Sequence, residues 1–492
     1  MALKNKYQRE KQQYSNDSGR TWIDVSPANY RRGRLIEAGS DDCNTIEWKE
    51  VTGSWFCVDA EPITKWVTVS GEYVCDTGNK YAKEKEQVSE DGGMTWTDTG
   101  QTRAGTLIEV NSEDCGYTPP TPTIQTYLTI QSLEDNNTIG FKCNLNNVKR
   151  TISISTDNGV TWTGKTSSTS GKILATLNTG EKMLIKGDNS SYATSGTTEG
   201  SYNYFTSTKQ FVLEGNIMSL INSTNFENLN TLTSERTFYG LFYNCSKLVS
   251  AENLSLPAMT LTRDCYGSMF VSCTSLTTAP SVLPATTLAT RCYYGMFHNC
   301  SSLTTAPELP ATTLANYCYR YMFWQCKSLT TAPELPATTL AEGCYQEMFA
   351  VCTSLTTAPS VLPAETLANS CYSDMFYGCA SLTSAPELPA TTLVDYCYNG
   401  MFYGCTSLVT APTLPATTLA NHCYQYMFDG CTKLNYIKAM FLTDPNYQSN
   451  NVYTLNWVRD VAASGTFVKN SQATWNLTGD DGIPTGWTVV TE

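Results

Sequence analysis

The sequence is poor in the residue types on which several common functions depend. Only two of its 492 residues are histidine, His298 and His422, so most general-base, catalytic-triad and zinc chemistry lacks its usual side chain. Lys and Arg number 32 against 45 Asp and Glu, and the net charge of −13 argues against nucleic acid as a partner. We therefore expect a protein that uses neither histidine chemistry nor a basic surface.

Long apolar stretches are missing as well. No run of about 18 apolar residues occurs, so we expect no membrane insertion. Residues 1–7 are polar and contain no signal-peptide core, so we expect no signal-directed export. The length exceeds what one hydrophobic core supports, and we expect three or four domains.

Cysteine is frequent, but its placement does not indicate disulfides. Fifteen of the 20 cysteines recur at two fixed positions of a repeat, and Cys-x-x-Cys pairs are absent, which excludes zinc ribbons and redox motifs. The two positions lie eight residues apart, about 12 Å along a helix, too far for a disulfide. We predict two ladders of buried free thiols. The first ladder holds Cys265, Cys292, Cys318, Cys344, Cys371, Cys397 and Cys423, and the second holds Cys245, Cys273, Cys300, Cys326, Cys352, Cys379, Cys405 and Cys431.

The repeats occupy residues 216–434 and are marked by a recurring Met-Phe or Leu-Phe pair. Its phenylalanines are spaced by 26 to 28 residues, at Phe242, Phe270, Phe297, Phe323, Phe349, Phe376, Phe402 and Phe428. In one unit, residues 314–326 place their unvarying side chains on one arc at 100° per residue, which predicts a helix, with Gln325 as the exception. Residues 303–306 predict a strand that Pro307 ends, and Thr312 or Thr313 is expected to cap the helix. One strand and one helix per unit predict an α/β leucine-rich-repeat solenoid.

The repeat motif resembles a known family. Met-Phe-x-x-Cys-x-Ser-Leu-Thr-x-Ala-Pro is similar to the BspA-like leucine-rich repeats of Bacteroides surface proteins and of the phages that infect them. The segments 465–469 and 482–487 also resemble the closing part of that group. The resemblance implies adhesion and surface recognition, and it implies no catalytic residue. The bacterial members usually carry an export signal, and the polar residues 1–7 depart from that expectation.

The front of the chain predicts all-β structure. Residues 1–118 contain a duplication in which Tyr7 aligns with Tyr81, residues 35–37 with residues 107–109, and Cys57 with Cys75. We interpret them as duplicated small β modules. Residues 119–123 form a Pro/Thr linker, 124–215 alternate as in a β-sandwich, and 435–492 are expected to cap the solenoid of 216–434.

A motif of the form Ser-x-Asp-x-Gly-x-Thr-Trp occurs three times, beginning at Ser15, Ser89 and Ser155. It resembles the Asp-box of sialidases and other β-propellers. One interpretation is a glycosidase; the other is a hairpin in which Asp bonds turn amides and Trp packs beneath the turn. We favour the hairpin, because a propeller would need more blades.

Aromatic residues at the variable positions of the repeats are the candidate binding site. Exposed aromatic side chains are typical of recognition surfaces for sugars and proteins. Contact with a neighbouring subunit is the alternative for these positions. The receptor-binding candidates are Tyr317, Arg320, Tyr321, Trp324, Tyr396, Tyr403 and Tyr426. The fixed tyrosines, by contrast, are expected in the core: Tyr266, Tyr293, Tyr319, Tyr345, Tyr372, Tyr398 and Tyr424.

Together these features predict a non-enzymatic phage virion appendage, a tail fibre or receptor-binding adhesin, assembled in the host cytoplasm. Its expected partners are a host-surface glycan or protein and other virion proteins at the N-terminal β modules, and a homo-oligomer is a further option. We expect no cofactor and no metal. Two alternatives remain: a bacterial surface adhesin without its leader, and a carbohydrate hydrolase. The hydrolase is less favoured because Glu308, Glu334 and Glu387 recur singly, one per repeat, instead of as a carboxylate pair.

Overall fold

The computed structural model divides the chain into two compact units, Met1–Pro122 and Thr123–Glu492. Within the first unit it describes residues 4–11, 13–14, 23–24, 30–40, 55–59, 63–76, 79–89 and 97–109. Within the second it describes residues 126–145, 148–194, 201–445 and 452–492. These residues are nearly all β-structure and turns and include no α-helix; two short 3-10 helices span Ile217–Leu220 and Phe226–Asn228. The predicted domain boundaries stay predictions.

The described residues of the first unit are strands, as predicted. They form two three-stranded antiparallel sheets, in the orders β4-β1-β5 and β6-β7-β8, and one short pair, β2-β3. The strands are Lys4–Lys11 (β1), Gln13–Tyr14 (β2), Ile23–Asp24 (β3), Tyr30–Ser40 (β4), Trp55–Asp59 (β5), Ile63–Asp76 (β6), Asn79–Ser89 (β7) and Thr97–Glu109 (β8).

The backbone pairing of the two sheets reproduces the duplication seen in the sequence. In the first sheet Tyr7 lies opposite Leu35, and in the second Tyr81 lies opposite Leu107. On the other side of the central strand, Lys6 faces Cys57 and Lys80 faces Cys75. The duplicated segments therefore occupy equivalent places, although the third strand follows its partners in the first sheet and precedes them in the second.

The second unit begins with two sheets that share one core. Their orders are β13-β10-β15 and β12-β11-β14-β9-β16-β17, all antiparallel except the final pair, which is parallel. The strands are Leu128–Ser132 (β9), Asn137–Cys143 (β10), Thr151–Ser155 (β11), Thr163–Thr166 (β12), Lys172–Leu177 (β13), Lys182–Lys186 (β14), Asn203–Ser207 (β15), Phe211–Asn216 (β16) and Leu248–Ser255 (β17). Because β17 already belongs to the repeats, the first repeat continues the larger sheet.

The helix predicted for residues 314–326 is wrong. The segment is a chain of turns in which backbone N–H groups alternate between two kinds of acceptor. The N–H of Tyr319 donates to the carbonyl of Cys344 in the next repeat at 3.0 Å, whereas that of Met322 donates three residues back, to Tyr319, at 3.1 Å. The same alternation runs through the other repeats. Half of these N–H groups therefore join adjacent repeats, which a helix would not permit.

The turns have a period of four residues, with two side chains inward and two outward. Cys318 and Tyr319 are buried, Arg320 and Tyr321 are half-buried, and the pattern then repeats. Every fourth residue has positive φ, as at Tyr317 (58°), Tyr321 (59°) and Gln325 (59°). The outward position of Gln325, which a helix could not explain, follows directly from this period.

The strand predicted for residues 303–306 is reduced to a single bridge. Thr305 pairs with Thr278 in the preceding repeat, and further parallel bridges join Glu308 to Val282 and Thr313 to Thr287. The prolines of this stretch cannot donate to a ladder, which limits pairing to isolated residues. Thr313 lies in a bridge, so the predicted helix cap is also wrong.

Like side chains stack on like side chains through the repeat core. The fixed tyrosines are at most 2% exposed, and adjacent rings from Tyr266 to Tyr424 lie 5.7 to 6.1 Å apart, which confirms their predicted place in the core. A parallel stack of phenylalanines begins at Phe205 on β15 and ends on Trp457. Trp457 also closes the tyrosine stack.

Both predicted cysteine ladders are buried and free of disulfides, as expected. In the second ladder each Sγ donates to the carbonyl of a phenylalanine one repeat earlier, for example Cys326 to Phe297 at 3.2 Å. Burial raises the pKa of the thiols, that of Cys318 to about 12. In the first unit, by contrast, Cys75 is disulfide-bonded.

The described parts of the C-terminal segment, residues 435–445 and 452–492, continue the repeat pattern. Strands Tyr436–Ala439 (β18), Thr466–Lys469 (β19) and Thr488–Thr491 (β20) form a parallel sheet, and β18 is bridged to Thr410 and Leu414 of the repeats. The turn ladder likewise extends to Trp457, whose carbonyl accepts from the N–H of Phe428. The predicted cap is thus built from further units of similar pairing.

The third Asp-box is a hairpin, as favoured from the sequence. It connects the antiparallel strands β11 and β12. The Asp157 carboxylate accepts from the Thr161 N–H at 2.9 Å, and the Trp162 ring N–H donates to the Gly159 carbonyl at 3.0 Å. Hydrogen bonds from the Ser155 hydroxyl and from the Thr161 hydroxyl and N–H lower the pKa of Asp157 to about 2. The first copy, residues 15–22, and residues 90–96 of the second copy lie outside the described residues, whereas Ser89, which begins the second copy, is the last residue of β7.

Candidate functional site: the turn face

The outward residues of the eight turn segments form one continuous file, which we call the turn face. In the last seven segments the inward positions are always Cys, Tyr, Met, Phe and Cys, whereas the outward positions change from repeat to repeat. Because the inward residues are the same in each repeat, the sequence differences within these segments lie on the turn face, and we take this face as the candidate binding surface. The segments are residues 234–245, 262–273, 289–300, 315–326, 341–352, 368–379, 394–405 and 420–431.

Four of the predicted site residues lie together on segment 315–326. Arg320 donates from Nη2 to the Tyr321 hydroxyl at 2.8 Å, and its guanidinium lies 4.6 Å from the Tyr321 ring and 5.7 Å from the Tyr317 ring. Trp324 joins this group through His298, whose ring lies 4.4 Å from the indole and 6.5 Å from Tyr321. These contacts hold the aromatic rings in fixed positions. We call Tyr294, His298, Tyr317, Arg320, Tyr321 and Trp324 the front cluster.

The other three predicted residues lie farther along the face. The Tyr403 ring stacks on Tyr377 at 5.0 Å and approaches Tyr426 at 6.5 Å. Tyr396 stacks on His422 at 4.4 Å and is 39% exposed. The seven candidates therefore fall into two groups, the front cluster and these rear aromatics.

The turn face is electrically divided. Segments from 234 to 326 carry all of its basic residues, and those from 341 to 431 contain no Lys or Arg. The arginines are Arg236, Arg263, Arg291 and Arg320, and the acidic residues of the second half are Glu342, Glu347, Asp374, Asp395 and Asp429. We call these the arginine half and the acidic half. The contrast is unexpected for repeats that are otherwise nearly identical.

Three of the arginines converge on one buried carboxylate. The Asp264 side chain is fully buried, and the Nε atoms of Arg236, Arg263 and Arg291 lie 3.3, 3.5 and 3.0 Å from its oxygens. One negative charge thus faces three positive charges. The group keeps a net positive charge at the surface of an acidic protein.

Burial shifts the pKa of several groups on the turn face. It raises the pKa of Tyr321 to about 12, so the hydroxyl remains a donor at any ordinary pH. It raises the pKa of Asp374 to about 6, where nearby Glu347 adds to the effect. Burial lowers the pKa of His298, which favours the neutral ring. The front cluster therefore presents a neutral histidine ring and protonated tyrosine hydroxyls beside the guanidinium of Arg320.

Metal and membrane sites are not evident in the part of the chain that is described. It contains no cluster of three or more His, Cys, Asp or Glu able to hold a metal ion. It also contains no helix long and apolar enough to cross a membrane.

Sequence reasoning found the aromatic candidates but missed the basic group around Asp264 and the role of His298. His298 occupies the same repeat position as Trp324, so a strict alignment of the repeats would have included it. Arg236, Asp264 and Arg291 share one column of three successive repeats, so the same alignment would have placed them side by side, whereas Arg263 comes from the neighbouring column.

The stacked turn segments define a nearly all-β repeat protein. The family model for the BspA type leucine-rich repeat region matches residues 268–386 and residues 319–449, and this part of the chain is a repeat region of that type, as its motif predicted. Such repeats indicate a surface or adhesion-type protein, and the family is typically non-enzymatic. Comparison with curated proteins and with solved structures gave no significant match.

Proposed function

We propose that the chain is a non-enzymatic recognition protein of a phage virion, a tail fibre or other receptor-binding appendage. In this proposal the repeats form a solenoid whose turn face binds a glycan or protein on the host surface. The first unit attaches the chain to other virion proteins. The fifteen free thiols of the repeats suit a chain that folds in the reducing host cytoplasm, and the disulfide of Cys75 would form after release.

The observation that carries the proposal is the backbone conformation under the front cluster. Tyr317 and Tyr321 have φ of 58° and 59°, a left-handed conformation that costs bulky residues about 1–2 kcal/mol relative to glycine. Glycine takes the column of Tyr317 in one other repeat, at Gly343, and the column of Tyr321 in three, as at Gly295, while the remaining repeats have other residues with positive φ there. Tyrosine therefore occupies positions at which glycine would have the lower backbone energy. A binding role for the two side chains explains this cost.

The test removes the aromatic side chains while relieving the backbone. We expect the variant Tyr317→Gly/Tyr321→Gly/Trp324→Ala to fold. Glycine adopts positive φ without strain, and this gain in stability offsets the loss of the side-chain contacts. We expect its adsorption to host cells to fall by at least roughly tenfold, since central aromatic residues dominate many interfaces. Folding is measured by circular dichroism and adsorption by cell-binding assay.

A matched control is available in the same segment. Gln325 is also left-handed, with φ of 59°, but it adds no aromatic ring. Gln325→Gly should leave adsorption unchanged. Wild-type adsorption by the folded aromatic variant would exclude this patch as the receptor site.

The proposal also predicts where the protein resides. An antibody against the chain should label the virion, at its tail or another appendage, in electron micrographs. Labelling of the surface of uninfected bacteria instead would favour the alternative, a bacterial adhesin that uses the same face.

A further inference from the structure

We propose that the arginine half of the turn face binds a linear acidic glycan, one that carries carboxylate or sulfate groups along its chain. This inference rests on the proposed recognition function and names the class of its ligand. It assigns the basic group around Asp264, which lies next to the front cluster, as the site that holds the acidic groups.

The first argument is the uncompensated charge. Arg236, Arg263 and Arg291 share a single carboxylate, and the side chains of Arg263 and Arg291 are 54% and 34% exposed. A structural ion pair needs one guanidinium for each carboxylate. The two additional guanidinium groups, in a protein of net charge −13, point to an anionic ligand.

The second argument is the geometry of the guanidinium groups. The closest contact of each arginine with Asp264 is made by Nε. Among the described residues, the terminal Nη groups of Arg263 and Arg291 have no hydrogen-bond acceptor. Asp264 therefore positions these side chains from below and leaves their forked ends available, and such a fork matches two oxygens of a carboxylate or sulfate.

The third argument is the aromatic surface beside the charges. The Arg291 guanidinium lies 4.3 Å from the Tyr294 ring, and that ring lies 5.4 Å from Tyr321 in the next repeat. Guanidinium groups and rings thus adjoin one another across successive repeats. Sugar rings can pack on the aromatic faces while their acidic groups reach the arginines.

The acidic half gives the ligand a defined position. Glu342, Asp374 and Asp395 would repel a polyanion, and burial alone does not neutralise Asp374 at neutral pH, since its pKa is about 6. An acidic chain is therefore confined to the segments from 234 to 326. A neutral glycan would have no such preference.

The experiment measures binding of three polymers to the whole chain by isothermal titration calorimetry. Polygalacturonate carries carboxylates, dextran sulfate carries sulfates, and dextran is neutral. We expect at least one acidic polymer to bind, and to bind more weakly as salt is raised, whereas dextran does not bind. Arg263→Gln/Arg291→Gln should weaken binding roughly tenfold, because charge-assisted hydrogen bonds are lost.

Two exposed lysines provide a charge-matched control. Lys327→Gln/Lys433→Gln removes the same net charge from outside the turn face and should leave affinity unchanged. If the double arginine variant does not fold, Arg263→Gln alone is used, because Arg236 and Arg291 then still neutralise Asp264. Equal loss in the lysine control would show nonspecific attraction and overturn the site.

The outcome can be separated from that of the proposed function. If no acidic polymer binds, or if dextran binds equally well, the acidic-glycan assignment is wrong. In that case, loss of adsorption in the Tyr317/Tyr321/Trp324 variant would still support host recognition by the turn face. Binding of an acidic polymer without any host adsorption would uphold this site and reject the receptor-binding role.

Discussion

The sheets of residues 128–216 and the repeats that follow them share one core but satisfy their polar groups differently. In the sheets, different side chains meet across antiparallel strands, and a buried polar group can find a complementary partner. In the repeats each inward residue lies between copies of itself, Tyr on Tyr and Cys on Cys. The repeat core therefore accommodates side chains that pack favourably on identical side chains, such as aromatic rings and neutral thiols. Stacked charged groups would repel one another.

The largest expected effect of this difference is alkaline unfolding of the repeats. Burial raises the pKa of Cys318 from 9.0 to about 12, and it also raises the pKa of the stacked tyrosines, such as Tyr319, well above the usual value of 10. Thiols of the unfolded chain ionise near pH 9, whereas native thiols keep their protons, so stability is complete below pH 9 and falls as pH rises toward 12. The destabilising effects of many equivalent thiols add up, and we expect cooperative unfolding between pH 9 and pH 12.

Circular dichroism under reducing conditions measures this transition, and hydrogen exchange locates it. Exchange should rise first in the repeats, before residues 128–177. A native spectrum retained at pH 12 would show that the buried thiols do not destabilise the repeats at high pH, and would contradict this prediction.

Two Tyr→Phe substitutions, one in the sheets and one in the repeats, test how each region satisfies a buried hydroxyl group. Tyr192 lies among the sheets, where its hydroxyl donates to the Leu220 carbonyl at 2.9 Å and accepts from the Asn189 side chain at 3.0 Å. The hydroxyl of Tyr266, in the repeats, is buried without a hydrogen-bond partner among the described residues. Tyr192→Phe should lower the free energy of unfolding by about 1–3 kcal/mol, and Tyr266→Phe should leave it unchanged or raise it.

Urea denaturation of the two variants gives the comparison directly. Each substitution removes the same atom from a fully buried ring, so the change in apolar packing is matched. Equal losses of stability would show that the tyrosine stack does satisfy its hydroxyl groups.

The sequence was sufficient for the repeat register and the inward residues, but not for the local conformation, and the binding role of the aromatic candidates stays a prediction. Over residues 314–326, periods of 3.6 and 4 residues place nearly the same side chains inward, and only Gln325 distinguishes them. The informative signal was the recurrence of glycine and asparagine at every fourth residue, as at Gly295 and Asn299, because these residues adopt positive φ most readily.

The basic part of the candidate site was missed for another reason. Arg236, Asp264 and Arg291 share one column of the repeats, and Arg263 lies in the next column. With an incorrect helix in each repeat, the directions of these side chains, and so their convergence on one carboxylate, were not predicted. The antiparallel sheets posed no such difficulty, since alternation with a period of two identified strands such as Thr151–Ser155 directly.

The smallest expected effect distinguishes the two cysteine ladders within one repeat. Cys379 Sγ donates to the Phe349 carbonyl at 3.1 Å, whereas Cys371 Sγ lies 4.0 Å from the Cys397 carbonyl. Cys379→Ala and Cys371→Ala each remove one fully buried thiol and so lose similar apolar contact. The Cys379 variant should be less stable by a further 0.5–1 kcal/mol or so, the worth of a weak hydrogen bond. Urea midpoints measured on both proteins decide the matter: coincident curves would show that the second ladder, like the first, contributes packing alone, and that the sulfur-to-carbonyl contacts between repeats carry no energy of their own.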